Sequence, residues 1–118
     1  MVDLFVRMFQ TTGEKRGLTF TYVNTADAAA TEAAIKSNTK ALYIETPSNP
    51  TMLITDLAKM KSLADKYNLL VIVDNTFLSP YFQKPIRFGA DLVIHSGTKF
   101  LGGHNDTLAG FLSTSRED

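Results

Sequence analysis

An α/β fold, with a mainly parallel sheet flanked by helices, follows from three features of these 118 residues. Short continuous apolar runs at 41–44, 69–73 and 92–94 suit strands buried on both faces. Segments rich in alanine or with apolar residues at helical spacing stand between those runs. Strands and helices in alternation are the pattern of a parallel sheet with right-handed crossovers.

Leu4, Phe5, Met8 and Phe9 lie on one helical face and predict a short opening helix that stops before Gly13. Residues 11–17 are polar and punctuated by glycine, so they read as a loop. Leu18, Phe20 and Tyr22 alternate with Thr19, Thr21 and Val23, which is a strand pattern. Asp27 is placed to cap or charge the first turn of an Ala-rich helix running to about Lys36. The short buried strand at 41–44 ends in Thr46-Pro47-Ser48-Asn49-Pro50, whose prolines stop sheet and helix alike. Leu57, Met60, Leu63, Ala64 and Tyr67 then fall at helical spacing, with Lys59, Lys61, Asp65 and Lys66 on the wet side. Thr55 or Asp56 is the N-cap of that helix. The next strand is 69–73, and 75–88 reads as irregular or briefly helical, with Pro80, Pro85 and a turn at Gly89. Strand 92–94 ends at His95-Ser96, a Gly-rich loop follows, and 108–114 is the last strand.

Composition narrows the function classes. Twelve Lys+Arg balance twelve Asp+Glu, so there is no basic surplus to suit nucleic acid or an anionic membrane. The apolar fraction of 44% and charged fraction of 20% are those of a folded globular chain. Without cysteine, a disulfide scaffold and a thiolate zinc site are both excluded. The longest apolar run, 69–73, is far too short to span a membrane, and Asp3 and Arg7 interrupt what would be a signal peptide's apolar core. The expectation is a soluble, cytoplasmic protein with neither nucleic-acid nor membrane partners.

In open α/β sheets, ligands bind beyond the carboxyl ends of the strands. Here those ends carry Glu45-Thr46-Pro47-Ser48-Asn49, then Asp74-Asn75-Thr76, then His95-Ser96-Gly97-Thr98-Lys99. An amide, a carboxylate, two hydroxyls and an amine thus converge on one edge of the sheet. Taken singly, Asp74 reads as well as a cap of the turn that follows it, and Lys99 as a solvated surface residue. Together they describe a chemistry. A lysine that forms Schiff bases needs partial desolvation, which frees its lone pair. Ser96 and Thr98, with backbone N–H groups opened by Gly97, suit a phosphate beside that amine. Asp74 suits a protonated pyridine nitrogen, and Asn49 suits the ring oxygen next to an aldehyde. Aldehyde, phosphate and ring nitrogen are the functional groups of pyridoxal 5′-phosphate (PLP).

The runs Glu45-Thr46-Pro47-Ser48-Asn49-Pro50, Val73-Asp74-Asn75-Thr76-Phe77 and His95-Ser96-Gly97-Thr98-Lys99-Phe100, with Gly103-His104, resemble the PLP-dependent cysteine and methionine metabolism (trans-sulfuration) family. Its members include cystathionine γ-synthase, cystathionine lyases, methionine γ-lyase and O-acylhomoserine sulfhydrylases. The resemblance implies the large PLP-binding domain of fold-type-I PLP-dependent transferases. It implies β/γ-elimination or γ-replacement on sulfur amino acids or O-acylhomoserine, an amino-acid substrate and a full-length homotetramer. By the same resemblance Lys99 is the catalytic lysine that carries the cofactor, Asp74 the partner of the pyridinium, Asn49 of the ring hydroxyl, and Ser96 and Thr98 of the phosphate. Gly97 stands where alanine is commoner in the family, and Asn105 where serine is common. Residues 1–118 correspond to the centre of the cofactor domain, without the family's upstream phosphate loop, its ring-stacking tyrosine or the C-terminal small domain.

Two other functions compete with this one: a cofactor-free Schiff-base aldolase using Lys99, and a non-catalytic piece that packs on a partner chain. His95 and His104 lack a third ligand of suitable spacing, so no metal is expected and structural roles are favoured. Gly102-Gly103 belongs to no nucleotide-binding motif. Phe77, Tyr81 and Phe82 either line a pocket near the proposed site or pack in the core beneath a loop, and the core is favoured.

Overall fold

The computed structural model describes residues 9–117. Strands β1 (Ala41–Glu45), β2 (Leu70–Asp74), β3 (Leu92–Ser96) and β4 (Gly110–Ser113) form one sheet in the order β1-β2-β3-β4. The first three are parallel, and β4 returns antiparallel to β3. Helices α1 (Ala28–Ala33), α2 (Leu57–Lys66) and the single turn α3 (Ser79–Phe82) accompany them. Consecutive strands are neighbours, so right-handed crossovers lay their helices on the same face of the sheet.

Strand alternation explains the core. In register, Leu42 faces the side of Val71, and Ile44 that of Val73 and Val93. These residues are buried together with Leu57, Met60, Leu63 and Ala64 of α2. The alternate residues Tyr43, Ile72 and Ile94 point to the opposite face and are only half-buried. Coverage of both faces, which the apolar runs predict, is therefore complete on one side only among the described residues.

Both predicted N-caps form. Asp27 accepts the Ala30 N–H at 3.0 Å, and Asp56 accepts the Lys59 N–H at 3.0 Å. α1 ends at Ala33, short of the expected Lys36, because Lys36 is drawn into a turn with Thr39. There the Thr39 hydroxyl accepts the Lys36 N–H at 2.9 Å.

The N-terminal expectations fare differently. Residues 4–8 of the expected opening helix lie outside the described residues. The expected loop at 11–17 is instead helical, as a π-turn at Phe9–Gly13 and a 3₁₀ turn at Glu14–Arg16. Gly17 closes it in the left-handed region (φ 79°). The expected strand at 18–23 does not form, because no described strand lies beside it to complete a ladder. Leu18 and Tyr22 are exposed, and Phe20 packs by its ring. Phe20 stacks on Phe9 at 4.6 Å, and Phe9 meets Tyr43 edge-on at 5.4 Å. No helix among the described residues is long and apolar enough to cross a membrane.

Candidate active site

The carboxyl ends of β1, β2 and β3 open into one cleft of about 400 Å³, within the usual range for small-ligand sites (roughly 300–1,000 Å³). Of the sequence-predicted residues, Asn49, Thr98 and Lys99 line it. Asp74 and Ser96 do not. Asp74 is buried at the end of the middle strand, where its Oδ1 accepts the Thr76 N–H at 3.0 Å. Its Oδ2 lies 3.4 Å from the Tyr43 hydroxyl, which donates to it. The turn-capping role foreseen for this carboxylate is thus real, and it leaves acceptor capacity on Oδ2.

Lys99 sits within the helical turn Gly97–Leu101, at the point where its geometry breaks (φ −89°, ψ −123°). The side chain is exposed, whereas the sequence argument asked for partial desolvation. The described walls, largely Phe77 and Phe100 meeting edge-on at 6.0 Å, leave the cleft open to water on one side. Thr98 is held by β4's approach: its hydroxyl accepts the Ala109 N–H at 3.2 Å and donates to the Ala109 carbonyl at 3.4 Å. Ser96 is half-buried, and its backbone N–H donates to the Thr76 hydroxyl at 2.8 Å.

Sequence reasoning missed several lining residues. Glu45 and Thr76 stand directly past strands, a position that marks them as well as it marks Asp74. Phe100 and Asn105 reach the cleft only through the path of the 97–109 connection, which no local pattern reveals. Of Phe77, Tyr81 and Phe82, for which the sequence favours the core over a pocket wall, Phe77 lines the cleft, and all three are exposed, the last two by 83% and 78%. The α3 turn that carries Tyr81 and Phe82 is too short to bury them.

Electrostatics separate the ionisable groups. Burial pushes the Glu45 carboxyl above the usual range, the Asn49 N–H opposes this, and the charge of Asp74 adds to it. Burial holds the Tyr43 hydroxyl far above the ordinary phenol range, and the nearby charges of Asp74 and Glu45 reinforce that. Burial depresses the His95 imidazole, against the pull of the Asp74 charge. The donor set is suited to a phosphorylated aromatic aldehyde: an amine, an amide and a hydroxyl on the cleft, with a buried carboxylate at its inner end. Among the described residues, no group of three His, Asp or Glu could hold a metal ion.

A family model described as Cys/Met metabolism PLP-dependent enzyme matches residues 4–118. Cystathionine gamma-synthase of Haemophilus influenzae is 59% identical over 91 residues, which are 77% of this chain and 25% of that protein. Cystathionine gamma-lyase of Bacillus subtilis is 51% identical over 102 residues, 86% of this chain and 27% of that protein. The crystal structure of cystathionine gamma-lyase from Lactobacillus plantarum, complexed with L-serine, superposes with a TM-score of 0.92 at 48% identity. That match covers 95% of this chain and 29% of the other. The chain spans about a quarter of the length of these two curated relatives.

Proposed function

We propose a function from one premise: the chain belongs to the Cys/Met metabolism PLP-dependent enzyme family. The whole protein is a PLP-dependent lyase or transferase of sulfur amino-acid metabolism, eliminating or replacing a group at Cβ or Cγ of an amino-acid substrate. These 118 residues are the central part of its cofactor domain, and the active protein is a homotetramer. The observation that carries the proposal is the meeting of Lys99, Asn49 and Thr98 on one cleft, with Asp74 buried at the end of the strand between them.

Bound PLP supplies a carbonyl that condenses with amines and a ring that takes up electrons from the substrate. Lys99 would hold the cofactor through its amine, and that amine would move the proton at the substrate Cα and, for chemistry at Cγ, at Cβ. Asp74 accepts from the ring nitrogen and keeps it protonated, using the oxygen not committed to Thr76. Asn49 donates to the ring hydroxyl, which orients the ring. Thr98 would donate to the phosphate from the cleft wall, and Ser96, half-buried two residues before it, would join from beside the cleft. Desolvation of Lys99 comes with the ring itself and with walls outside the described residues.

Borohydride reduction of the PLP-loaded full-length protein tests this directly. The reduced adduct is expected on the peptide carrying Lys99. Finding it on Lys84 or Lys66 would overturn the assignment.

A further inference from the structure

Behind the cleft, a chain of hydrogen bonds joins the ends of β1, β2 and β3. Asn75 Nδ2 lies 3.1 Å from His95 Nε2 and donates to the carbonyls of Ser79 at 3.0 Å and Gln83 at 2.8 Å. Asn75 Oδ1 accepts from Gln83 Nε2 at 2.9 Å, and the same Gln83 amide donates to the Thr46 carbonyl at 3.3 Å. The Asn75 backbone N–H completes the set by donating to the Ile94 carbonyl at 2.9 Å. Asn75 is wholly buried, and His95 and Thr46 nearly so.

Because an amide nitrogen has no lone pair to offer, His95 Nε2 can serve Asn75 only as an acceptor, sharing an N–H that also reaches one of the two carbonyls. A neutral ring with its proton on Nδ1 fits that contact, in keeping with the burial that disfavours its charged form. Each member of the chain stands close to a proposed cofactor contact. Thr46 precedes Asn49 by three residues, Asn75 follows Asp74, and His95 precedes Lys99 by four.

We propose that His95, acting through Asn75 and Gln83, is a positioning residue that holds the Asn49, Asp74 and Lys99 segments at the spacing a single rigid ring requires. The proposal rests on the PLP reading of the cleft. Three segments gripping one planar ring must agree in position, and displacements near 1 Å are enough to lose productive contacts. A side chain of similar bulk but without an acceptor would fill the space and remove the side-chain link between the ends of β2 and β3, while the Asn75 amide keeps the Ser79 and Gln83 carbonyls.

The test uses the full-length protein with His95→Gln, His95→Phe and Gln83→Met. Glutamine sets an amide oxygen where Nε2 stands, phenylalanine restores bulk alone, and Gln83→Met cuts the link to Thr46 at a partly exposed position. PLP affinity by titration and the visible circular dichroism of the bound chromophore are measured, with the melting point of the cofactor-free protein as the folding control. His95→Phe and Gln83→Met are expected to weaken PLP binding about tenfold and to alter the dichroic band, while His95→Gln keeps both within about threefold of the parent. Should His95→Phe fail to fold, Gln83→Met carries the same expectation. Parent-like affinity and dichroism in Gln83→Met, or equal losses in His95→Gln and His95→Phe, would overturn the positioning role. A parent protein that binds no PLP at Lys99 would instead overturn the cofactor reading, and this proposal with it.

Discussion

Glu45 and Asp74 stand opposite each other at the carboxyl ends of β1 and β2, in register and on the same face of the sheet. Two carboxylates side by side repel, and each is relieved differently. Glu45 accepts the Asn49 N–H and takes up its proton more readily than a free carboxyl. Asp74 is tied to the Thr76 N–H and the Tyr43 hydroxyl. The pair concentrates negative potential beside a cleft that Glu45 and Lys99 both line, a polarity suited to a ring with a protonated nitrogen.

Asp74→Asn keeps the shape and the capping oxygen but removes the charge proposed to face the ring nitrogen. Turnover of the full-length enzyme is expected to fall about a thousandfold, the equivalent of roughly 4 kcal/mol at the transition state. PLP remains bound through its other contacts. Activity within a few-fold of the parent would reduce Asp74 to its hydrogen bond with Thr76.

Glu45→Gln separates the two carboxylates by pH. Folding raises the affinity of Glu45 for its proton, so the residue costs nothing well below its unfolded value and costs more as pH rises through its raised one. Glutamine still accepts the Asn49 N–H and escapes that cost. The cofactor-free variant should therefore be more stable than the parent near pH 7, by roughly half a kcal/mol because water screens a half-buried group. The advantage should vanish near pH 4. A gain that is equal at both pH values would refute this account of Glu45.

Much of the site was legible because strand ends are legible. The runs before Glu45, Asp74 and His95 are short and apolar, and each observed strand ends within two residues of its expected limit. Position past a strand then marks the chemistry-bearing side chains. What stayed hidden depends on partners distant in sequence. His95 meets Asn75 across 20 residues, and Gln83 reaches Thr46 across 37. The strand misread at 18–23 has the same cause, since alternation records which residues are apolar and not whether a neighbouring strand exists.

Gly97→Ala probes a close approach. A Cβ at this position would come within 2.5 Å of the Phe111 ring and 3.0 Å of Ala109 Cβ. The absence of a Cβ at Gly97 therefore coincides with an aromatic side chain on β4 that occupies the space. Phe111 is half-exposed and can swing outward, so the expected loss is about 1 kcal/mol, the low end for overpacking. Combined with Phe111→Ala, the substitution should cost almost nothing further. Full additivity in denaturant titrations of the four variants would show that the two positions are not coupled.

The isolated chain of 118 residues is expected to self-associate and to lack lyase activity with added PLP. Its sheet offers Ile72 and Ile94 on a half-covered face, and β4 adds Leu112, which is 66% exposed. Near the cleft, Phe100 is 66% and Leu108 92% exposed, too much apolar surface for the rim of a site in a small monomer. Among the described residues β1 also presents a free edge, a template for pairing with another chain. Light scattering on the purified chain should give a mass above the 13.0 kDa of one copy, rising with concentration. PLP should bind weakly, because the cleft leaves Lys99 open to water. A monodisperse monomer that cleaves cystathionine would mean these residues already hold a complete site, and that walls from elsewhere in the protein are not needed to desolvate Lys99.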